Sequence, residues 1–177
     1  MRLVIDANIA HSAGNSDVPV SRYSRECLNA VRDHEHVAVF TQQLRQEWGE
    51  HASIVSRRWW KSMAARRRIE NAEGAEFVPH LDRACACLEE DRYREDLRKD
   101  FHLVRAALAA DHTILSNENN FPGYLSVVSR TVRILCGLYY GNPAIEGEPC
   151  IQWVRAGAQP EGPRRIDMWA ENRAAEA

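Results

Sequence analysis

The chain has 177 residues, of which 45% are hydrophobic and 27% are charged, and its formal net charge is −2. This length fits one domain with a substantial core, and the slightly negative charge means that any nucleic-acid-binding surface must be local. The five cysteines lack zinc-ligand spacing and fit reduced thiols. There is no signal-peptide pattern and no run of the ~18 apolar residues that a membrane span needs. We therefore expect a cytoplasmic protein without a membrane partner.

The first half of the chain predicts two short buried strands, each followed by a helix. Both strands are rich in Leu, Val and Ile, and the helices follow residues that can cap them. In chain order we expect a strand over 2–6, a loop over 10–20, a helix capped by Ser21, a strand over 37–41, and one long helix over 42–69 capped by Thr41.

The second half continues the alternation of helices and strands. We expect helices over 81–90 and 93–110, a strand over 112–116, a short helix over 124–130, a strand over 132–140, and a helix in the second half of 144–158. Such alternation predicts a three-layer α/β/α fold with a central, mostly parallel, Rossmann-like sheet.

The domain organisation follows from composition. Residues 1–158 form one predicted domain, with a helical elaboration over about 42–98. From 159 to 177 the composition turns to Pro, Gly, Arg and Glu, which indicates a tail. That tail is either a disordered arm or a segment that docks through Ile166, Met168 and Trp169.

Four acidic residues follow or flank the predicted strands. In parallel sheets the functional site lies beyond the carboxyl ends of the strands, and the acids that fall there are Asp6, Glu47, Asp100 and Glu118. Clustered carboxylates repel one another unless cations neutralise them, and an all-oxygen set suits Mg²⁺ or Mn²⁺. Taken singly, each acid is more simply a cap or a solvated residue, and Glu50 and Asp96 compete for the roles of Glu47 and Asp100.

Three stretches of the sequence resemble PIN-domain nucleases. "LVIDANIA" resembles their opening strand, which ends in Asp with Asn two residues later. "KDFHLVRAALAADHTILSNENNF" resembles their second half, with an Asp at the head of a helix and a later strand that ends in Ser, any residue, and an acid. "LYYGNP" is similar to their late strand, and the resemblance spans roughly residues 2–145.

The resemblance implies a ribonuclease that depends on Mg²⁺ or Mn²⁺. Asp6, Glu47, Asp100 and Glu118 match the family's metal ligands, while Asn8 and Ser116 match polar positions that orient them. Glu118 is one methylene longer than the usual Asp, so it must bind from a different backbone offset or act through water. Asn117, a further candidate for orienting the ligands, or Asn119 could also supply an oxygen.

The resemblance also implies partners. Many members of the family are toxins held inactive by an antitoxin, others process RNA, and homodimers are common. We therefore expect RNA as the substrate, with an antitoxin or another regulatory protein and a second copy of the chain as further partners.

A basic stretch within residues 56–70 predicts an RNA-binding surface. It carries six cations before the first acid: Arg57, Arg58, Lys61, Arg66, Arg67 and Arg68. Such a patch suits a phosphate backbone, although a solvated helix face or an acidic protein partner would fit the same charges. Trp59 and Met63 are predicted to pack in the core, whereas Trp60 lies off that stripe and could stack on an unpaired base.

Two rival functions come from other classes. A haloacid-dehalogenase-type phosphatase needs a second Asp two residues after the first, and Asn8 stands there. A catalytically weak or inactive RNA- or protein-binding module on the same fold is the alternative, and the replaced fourth acid supports it.

Overall fold

The computed structural model describes residues 1–72 and 81–169. It contains one five-stranded sheet in the order β3-β2-β1-β4-β5, in which all neighbouring strands are parallel. The strands are β1 (Arg2–Ile5), β2 (Val37–Phe40), β3 (Ile69–Asn71), β4 (Thr113–Leu115) and β5 (Tyr139–Gly141). The predicted α/β/α fold with a parallel sheet is confirmed.

Helices cover both faces of this sheet. They are α1 (Ala7–Ser12), α2 (Pro19–Asp33), α3 (Gln42–His51), α4 (Ile54–Ala65), α5 (Leu81–Cys85), α6 (Asp91–Lys99), α7 (Phe101–Leu108), α8 (Phe121–Ser129), α9 (Pro143–Glu146) and α10 (Glu148–Arg155). On one side α2 packs against α1, α4, α9 and α10, and on the other α7 packs against β1, β4 and α6. In the described part of the chain no helix is long and apolar enough to cross a membrane.

The central strands are apolar because the sheet buries them from both faces. Leu3, Val4 and Ile5 of β1 are completely buried. Val4 aligns with Val39 of β2 on one side and with Ile114 of β4 on the other. The carboxyl ends of these strands, followed by Asp6, Thr41 and Ser116, therefore lie at the same edge of the sheet.

The predicted single helix over 42–69 is wrong, because the chain turns at Ala52 and Ser53. Ala52 is extended (φ −62°, ψ 131°), and the Ser53 hydroxyl accepts a hydrogen bond from Ser56 N, so a second helix starts there. The Ser53 N–H donates to the carbonyl of Ala10 at 3.1 Å, which ties the turn to α1. The end of the predicted helix is instead the edge strand β3, too short and too polar to show strand periodicity.

The predicted helix over 93–110 is also interrupted, and the interruption falls at Asp100. This residue has φ −95° and ψ 5°, ends α6 and precedes α7. Apolar spacing continues across the break, so the sequence pattern alone does not reveal it.

Other element boundaries differ in smaller ways. The expected loop over 10–20 overlaps the end of α1, and α2 starts at Pro19, while the Ser21 hydroxyl accepts from Gly14 N at 3.0 Å rather than capping the helix. The expected strand over 132–140 is mostly a 3₁₀ helix, Arg133–Gly137, followed by the short β5. The Thr41 cap is confirmed by its hydroxyl, which accepts from Leu44 N at 3.2 Å.

The start of the predicted tail packs against the domain. Ile166 N donates to the carbonyl of Leu138 at 2.9 Å, and Ile166 is completely buried. Trp169 meets Tyr140 edge to face at 5.2 Å between ring centroids. Of the two alternatives for this region, the structure shows docking onto the chain's own sheet edge up to residue 169, and the rest of the tail lies outside the described residues.

Candidate active site

Asp6 sits at the end of β1 in a dense hydrogen-bond network. Its carboxylate accepts from the Ser116 hydroxyl at 2.6 Å and from the backbone N–H of Asn8 at 3.3 Å, which makes Asp6 the cap of α1. The Ser116 oxygen in turn accepts from the Asn8 side-chain amide at 3.0 Å and from Glu118 N at 3.0 Å. Ser116 thus uses its one donor and both acceptor positions, and the predicted second layer of Asn8 and Ser116 does orient Asp6.

Burial raises the pKa of Asp6, and the hydrogen bond from Ser116 partly offsets that effect. The residue is only 9% exposed. A buried carboxylate whose pKa is raised needs positive charge nearby to stay ionised. The nearest elements supply hydroxyl and amide donors but no Lys or Arg side chain that pairs with it among the described residues.

The loop after β4 holds Glu118 mainly by its backbone. The carbonyl of Glu118 accepts from the Tyr140 hydroxyl at 2.7 Å and from the Asn142 amide at 3.3 Å. One oxygen of its carboxylate accepts from Asn119 N at 3.2 Å. Since Tyr140 is completely buried, this loop is anchored to β5 and the side chain of Glu118 stays half-buried.

The neighbouring asparagines differ in what their side-chain oxygens contact, and the oxygen of Asn117 is buried without a hydrogen-bond partner among the described residues. The side chain of Asn117 donates to the Ser24 hydroxyl at 2.9 Å, while its backbone N–H donates to the Asn8 side-chain oxygen at 3.0 Å. The side-chain oxygen of Asn119 accepts from Asn142 at 3.1 Å. The predicted role of Asn119 as an oxygen ligand is less favourable because its oxygen is occupied, whereas the Asn117 oxygen and the Glu118 carboxylate both stay candidate ligands of this loop.

Glu47 of α3 reaches across to α7, where it meets His102. Glu47 Oε2 lies 3.1 Å from His102 Nε2, although the two atoms are not aligned as a hydrogen bond. Glu47 Oε1 accepts from Gln43 at 3.1 Å. His102 Nδ1 lies 2.9 Å from the carbonyl of Lys99, so this nitrogen is assigned the proton, and Nε2 faces the carboxylate either as an acceptor or as the second donor of an imidazolium.

Asp100 lies between the other acids at the break between α6 and α7. Burial, followed by the negative charges of Asp6, Glu118 and Glu47, raises its pKa from 3.8 to about 7. Asp100 and Glu118 both line a cavity of about 300 Å³. Asp6, Glu118 and Glu47 are therefore all close enough to Asp100 to raise its pKa.

The competing acids are placed differently. Glu50 is exposed and accepts from Gln46 at 2.9 Å on α3. Asp96 lines the same cavity as Asp100, but it is exposed, pairs with Lys99 at 3.2 Å, and makes the smallest of the named contributions to the raised pKa of Asp100. Glu47 and Asp100 are thus the inward-facing members of the two pairs.

The donor set fits a hard divalent cation by chemistry, while the atoms are not gathered into a closed cage. In the described parts of the chain no group of three or more His, Cys, Asp or Glu side chains lies close enough to hold a metal ion. The set nevertheless consists of carboxylates, which Mg²⁺ and Mn²⁺ prefer. The raised pKa values of Asp6 and Asp100 reflect negative charge or burial that a cation would compensate.

The predicted basic residues do not form one continuous patch. Arg57, Arg58 and Lys61 are exposed on α4, and Arg66 and Arg67 are exposed just after it. Arg68 turns away and pairs with Glu35 at 2.8 Å. Glu47 and the exposed cations of α4 lie on opposite sides of α3.

Trp60 is half-buried rather than free. Its ring packs 4.4 Å from Phe40 and 5.6 Å from Trp48 between centroids. Trp59 and Met63 are buried in the core, as the helical spacing predicts.

Three residues near the acids were not predicted from the sequence: His102, Tyr140 and Asn142. His102 follows Asp100 by two residues, but its contact with Glu47 depends on how α3 and α7 pack. Tyr140 and Asn142 precede and follow a glycine at the end of β5. The stretch "LYYGNP" marked this turn in the sequence, but it gave Tyr140 and Asn142 no role.

Comparison of the chain with protein-family models, with curated proteins and with solved structures finds no match.

Proposed function

We propose that the protein is a divalent-metal-dependent ribonuclease that hydrolyses phosphodiester bonds of RNA. The observation that carries this proposal is the placement of the acids: Asp6 follows β1 and is hydrogen-bonded to Ser116 after β4, while Asp100 and Glu118 line one cavity. Burial and the charges of Asp6, Glu118 and Glu47 accordingly raise the pKa of Asp100 to about 7. Carboxylates that repel one another at the carboxyl edge of a parallel sheet lower the stability of the fold. Stability alone therefore does not explain why they lie there. Such clusters are more often found where cations are bound for chemistry.

In this proposal Asp6, Glu47, Asp100 and Glu118 would hold Mg²⁺ or Mn²⁺. A bound divalent cation activates a water molecule and stabilises the charge that develops on the phosphate. Ser116 and Asn8 orient the Asp6 carboxylate through the 2.6 Å and 3.0 Å hydrogen bonds. Tyr140 and Asn142 hold the Glu118 backbone, so that the longer side chain starts from a defined position.

The supporting argument for RNA is the family resemblance together with the exposed cations of α4. The toxin role, the antitoxin and the homodimer stay predictions of the same resemblance.

The experiment is cleavage of a mixed pool of structured and single-stranded RNAs by purified protein. It compares Mn²⁺, Mg²⁺ and chelator, with the Asp6→Asn variant beside the wild type. We expect cutting that needs the metal and disappears in the variant. Equal cutting by the variant would mean that the activity comes from another site or from a contaminant.

A non-catalytic binding module is the second candidate. It is favoured by the finding that no three potential ligands in the described residues are gathered around one position. Salt-sensitive RNA binding without cleavage in any metal would support it over the nuclease.

A further inference from the structure

A groove separates α3 from α4 on the side of α3 that faces away from Glu47. Its cavity measures about 520 Å³, within the usual range for small-ligand sites. The residues that shape it are Arg45, Trp48 and Gly49 of α3 and Arg57, Trp60 and Lys61 of α4. Because successive helix positions rotate by about 100°, positions 45, 48 and 49 face one side of α3 and position 47 faces the other.

Aromatic rings in this groove are held in place before any ligand binds. Trp48 is only 2% exposed, and its indole N–H donates to the carbonyl of Ile5 at 2.9 Å. Trp60 is half-buried and rests against Phe40 at 4.4 Å. A planar ligand would therefore meet rings that are already ordered, which lowers the entropy cost of stacking.

Positive charges surround the same rings. The guanidinium of Arg45 lies 5.3 Å from the ring centre of Trp60. Arg57 and Lys61 are exposed one helical turn apart, and neither forms an ion pair with a carboxylate anywhere in residues 1–72 or 81–169. No acidic side chain lines the groove among those same residues.

Gly49 lines the groove and puts no side chain into it. A Cβ at this position would meet no atom within 4 Å, so a side chain there would enter free space. Glycine inside a helix lowers helix stability relative to alanine, and the local backbone does not require it, since Gly49 has no positive φ. A side chain at position 49 would therefore enter the open space of the groove without a clash.

We propose that this groove binds one unpaired nucleotide of single-stranded RNA. The base stacks against the exposed part of Trp60, and Arg57 and Lys61 contact the flanking phosphate. Aromatic surface rimmed by cations suits a base with its phosphate better than an acidic peptide, which would use the charges and leave the rings unused. The proposal rests on the proposed function and extends it by naming where the strand is held beyond α3.

The test is fluorescence anisotropy with a short, labelled, single-stranded RNA of mixed sequence in chelator, so that no cleavage can occur. Gly49→Glu places a carboxylate in the groove at a position where a side chain fits, and we expect binding to weaken about 10-fold or more. Gly49→Ala is the matched control, and we expect its affinity within about twofold of the wild type and a slightly higher Tm. Equal binding by the Glu and Ala variants would overturn the proposal.

A second pair of variants distinguishes RNA binding in this groove from unspecific attraction by positive charge. Lys61→Glu should weaken binding and reduce the salt dependence of the affinity, by roughly 0.7 in log–log slope for each phosphate that the variant no longer neutralises. Arg58→Glu changes the charge by the same amount on the same helix but outside the groove, and we expect a clearly smaller effect. Equally weakened binding in both variants would indicate unspecific attraction and contradict the groove.

Base stacking is tested with an oligonucleotide that carries one abasic position in place of a base. Wild type should bind it about 5-fold to 100-fold more weakly than the complete strand. Trp60→Leu should bind both strands with similar affinity, provided that its thermal unfolding stays cooperative. Equal binding of both strands by the wild type would overturn stacking and leave an anion-binding surface that an acidic peptide could also use.

These measurements are independent of catalysis. If the groove variants bind RNA more weakly but no metal supports cleavage, the groove proposal is supported and the nuclease proposal fails. If cleavage depends on metal but neither binding nor cleavage responds to Gly49→Glu, the nuclease stands and the groove proposal fails.

Discussion

The two sides of α3 carry opposite charges, and these charges have different neighbours. On one side Glu47 meets His102 and lies close enough to Asp6 and Asp100 to raise their pKa values, while on the other side Arg45 lies over the ring of Trp60 in the groove. Among the described residues, the charged groups that shift the pKa of Asp6 are His102 and Glu47, and those that shift the pKa of Asp100 are all carboxylates. Because α3 separates the cations of the groove from the carboxylates, the two sets do not neutralise each other. The acids therefore remain available to a metal ion, and the cations remain available to an anion.

The two sides also differ in rigidity. Asp6 is held by hydrogen bonds to Ser116 and Asn8 inside the domain, whereas Arg57 and Lys61 project freely into solvent. We infer that changes on the acid side affect catalysis and stability together, and that changes to the exposed cations Arg57 and Lys61 on the groove side affect binding alone. The following predictions test this difference, from the largest effect to the smallest.

Replacing Asp6 should have the largest effect on cleavage and little effect on binding. Since loss of an outer partner of a metal ligand already costs 10- to 100-fold, we expect Asp6→Asn to reduce cleavage by more than about 100-fold. RNA affinity in chelator should stay within about twofold, because the groove lies beyond α3. Cleavage rates and anisotropy on the same preparation check both parts, and a parallel loss of binding would contradict the separation.

Removing the Ser116 hydroxyl should reduce cleavage about 10- to 100-fold, because Asp6 would lose its 2.6 Å hydrogen bond. The loss of this buried bond should also lower the free energy of unfolding by about 1–3 kcal/mol. Ser129→Ala is the matched control, since the Ser129 hydroxyl is buried and donates to the carbonyl of Ser126 at 2.7 Å. Urea unfolding should show a loss of stability in both variants, whereas cleavage should fall in Ser116→Ala alone.

Neutralising Asp100 should stabilise the metal-free protein above neutral pH. Its pKa is about 7 in the folded protein against 3.8 for the free side chain. The folded state therefore holds the proton more tightly, and stability falls as pH rises from about 4 through about 7. After allowance for solvent screening we expect Asp100→Asn to raise the free energy of unfolding by roughly 2 kcal/mol at pH 8 and to make no difference at pH 3.

The control for Asp100 is Asp96→Asn, an exposed acid of the neighbouring turn, which should change stability by less than about 0.5 kcal/mol. Mn²⁺ should raise the Tm of the wild type and of the Asp96 variant more than that of the Asp100 variant. The same Tm increase in Asp100→Asn would mean that Asp100 is not a metal ligand.

Weakening the turn between α3 and α4 should have the smallest effect. Ser53→Ala removes the cap of α4, a hydroxyl that accepts from Ser56 N at 3.1 Å and donates to the carbonyl of Ala13. We expect a loss of about 1 kcal/mol in the free energy of unfolding and a modest loss of RNA affinity, because this turn sets the opening of the groove. Urea unfolding and anisotropy measure the two quantities. Ser62→Ala, also on α4, should leave both nearly unchanged, and an equal loss there would contradict the role of the cap.

The fold class could be predicted because the strongest sequence signals arise from burial. A strand covered on both faces must be apolar throughout, so β1 and β2 are visible as short runs of Val, Ile, Leu and Phe. The Thr41 cap and the packing of Trp59 and Met63 were predicted from local spacing for the same reason. Local patterns failed where the chain bends within a continuous apolar pattern, as at Ala52 and Asp100.

The candidate site was predictable in part. Asp6 and Ser116 follow adjacent strands, so the parallel sheet alone brings them to one edge. Glu47 and Asp100 could not be separated from Glu50 and Asp96 by sequence, because each pair lies within about one turn of helix and both members carry the same charge.

The sequence by itself thus determined the order of the elements, the parallel sheet and the acids at its edge, because these follow from hydrophobic periodicity and chain direction. Only the tertiary structure decided that α6 and α7 break at Asp100, that Glu47 meets His102, and that Trp60 opens onto a groove beside Gly49. Each of these depends on the angle at which helices distant in the chain pack together, and that angle is set by contacts that no local pattern records.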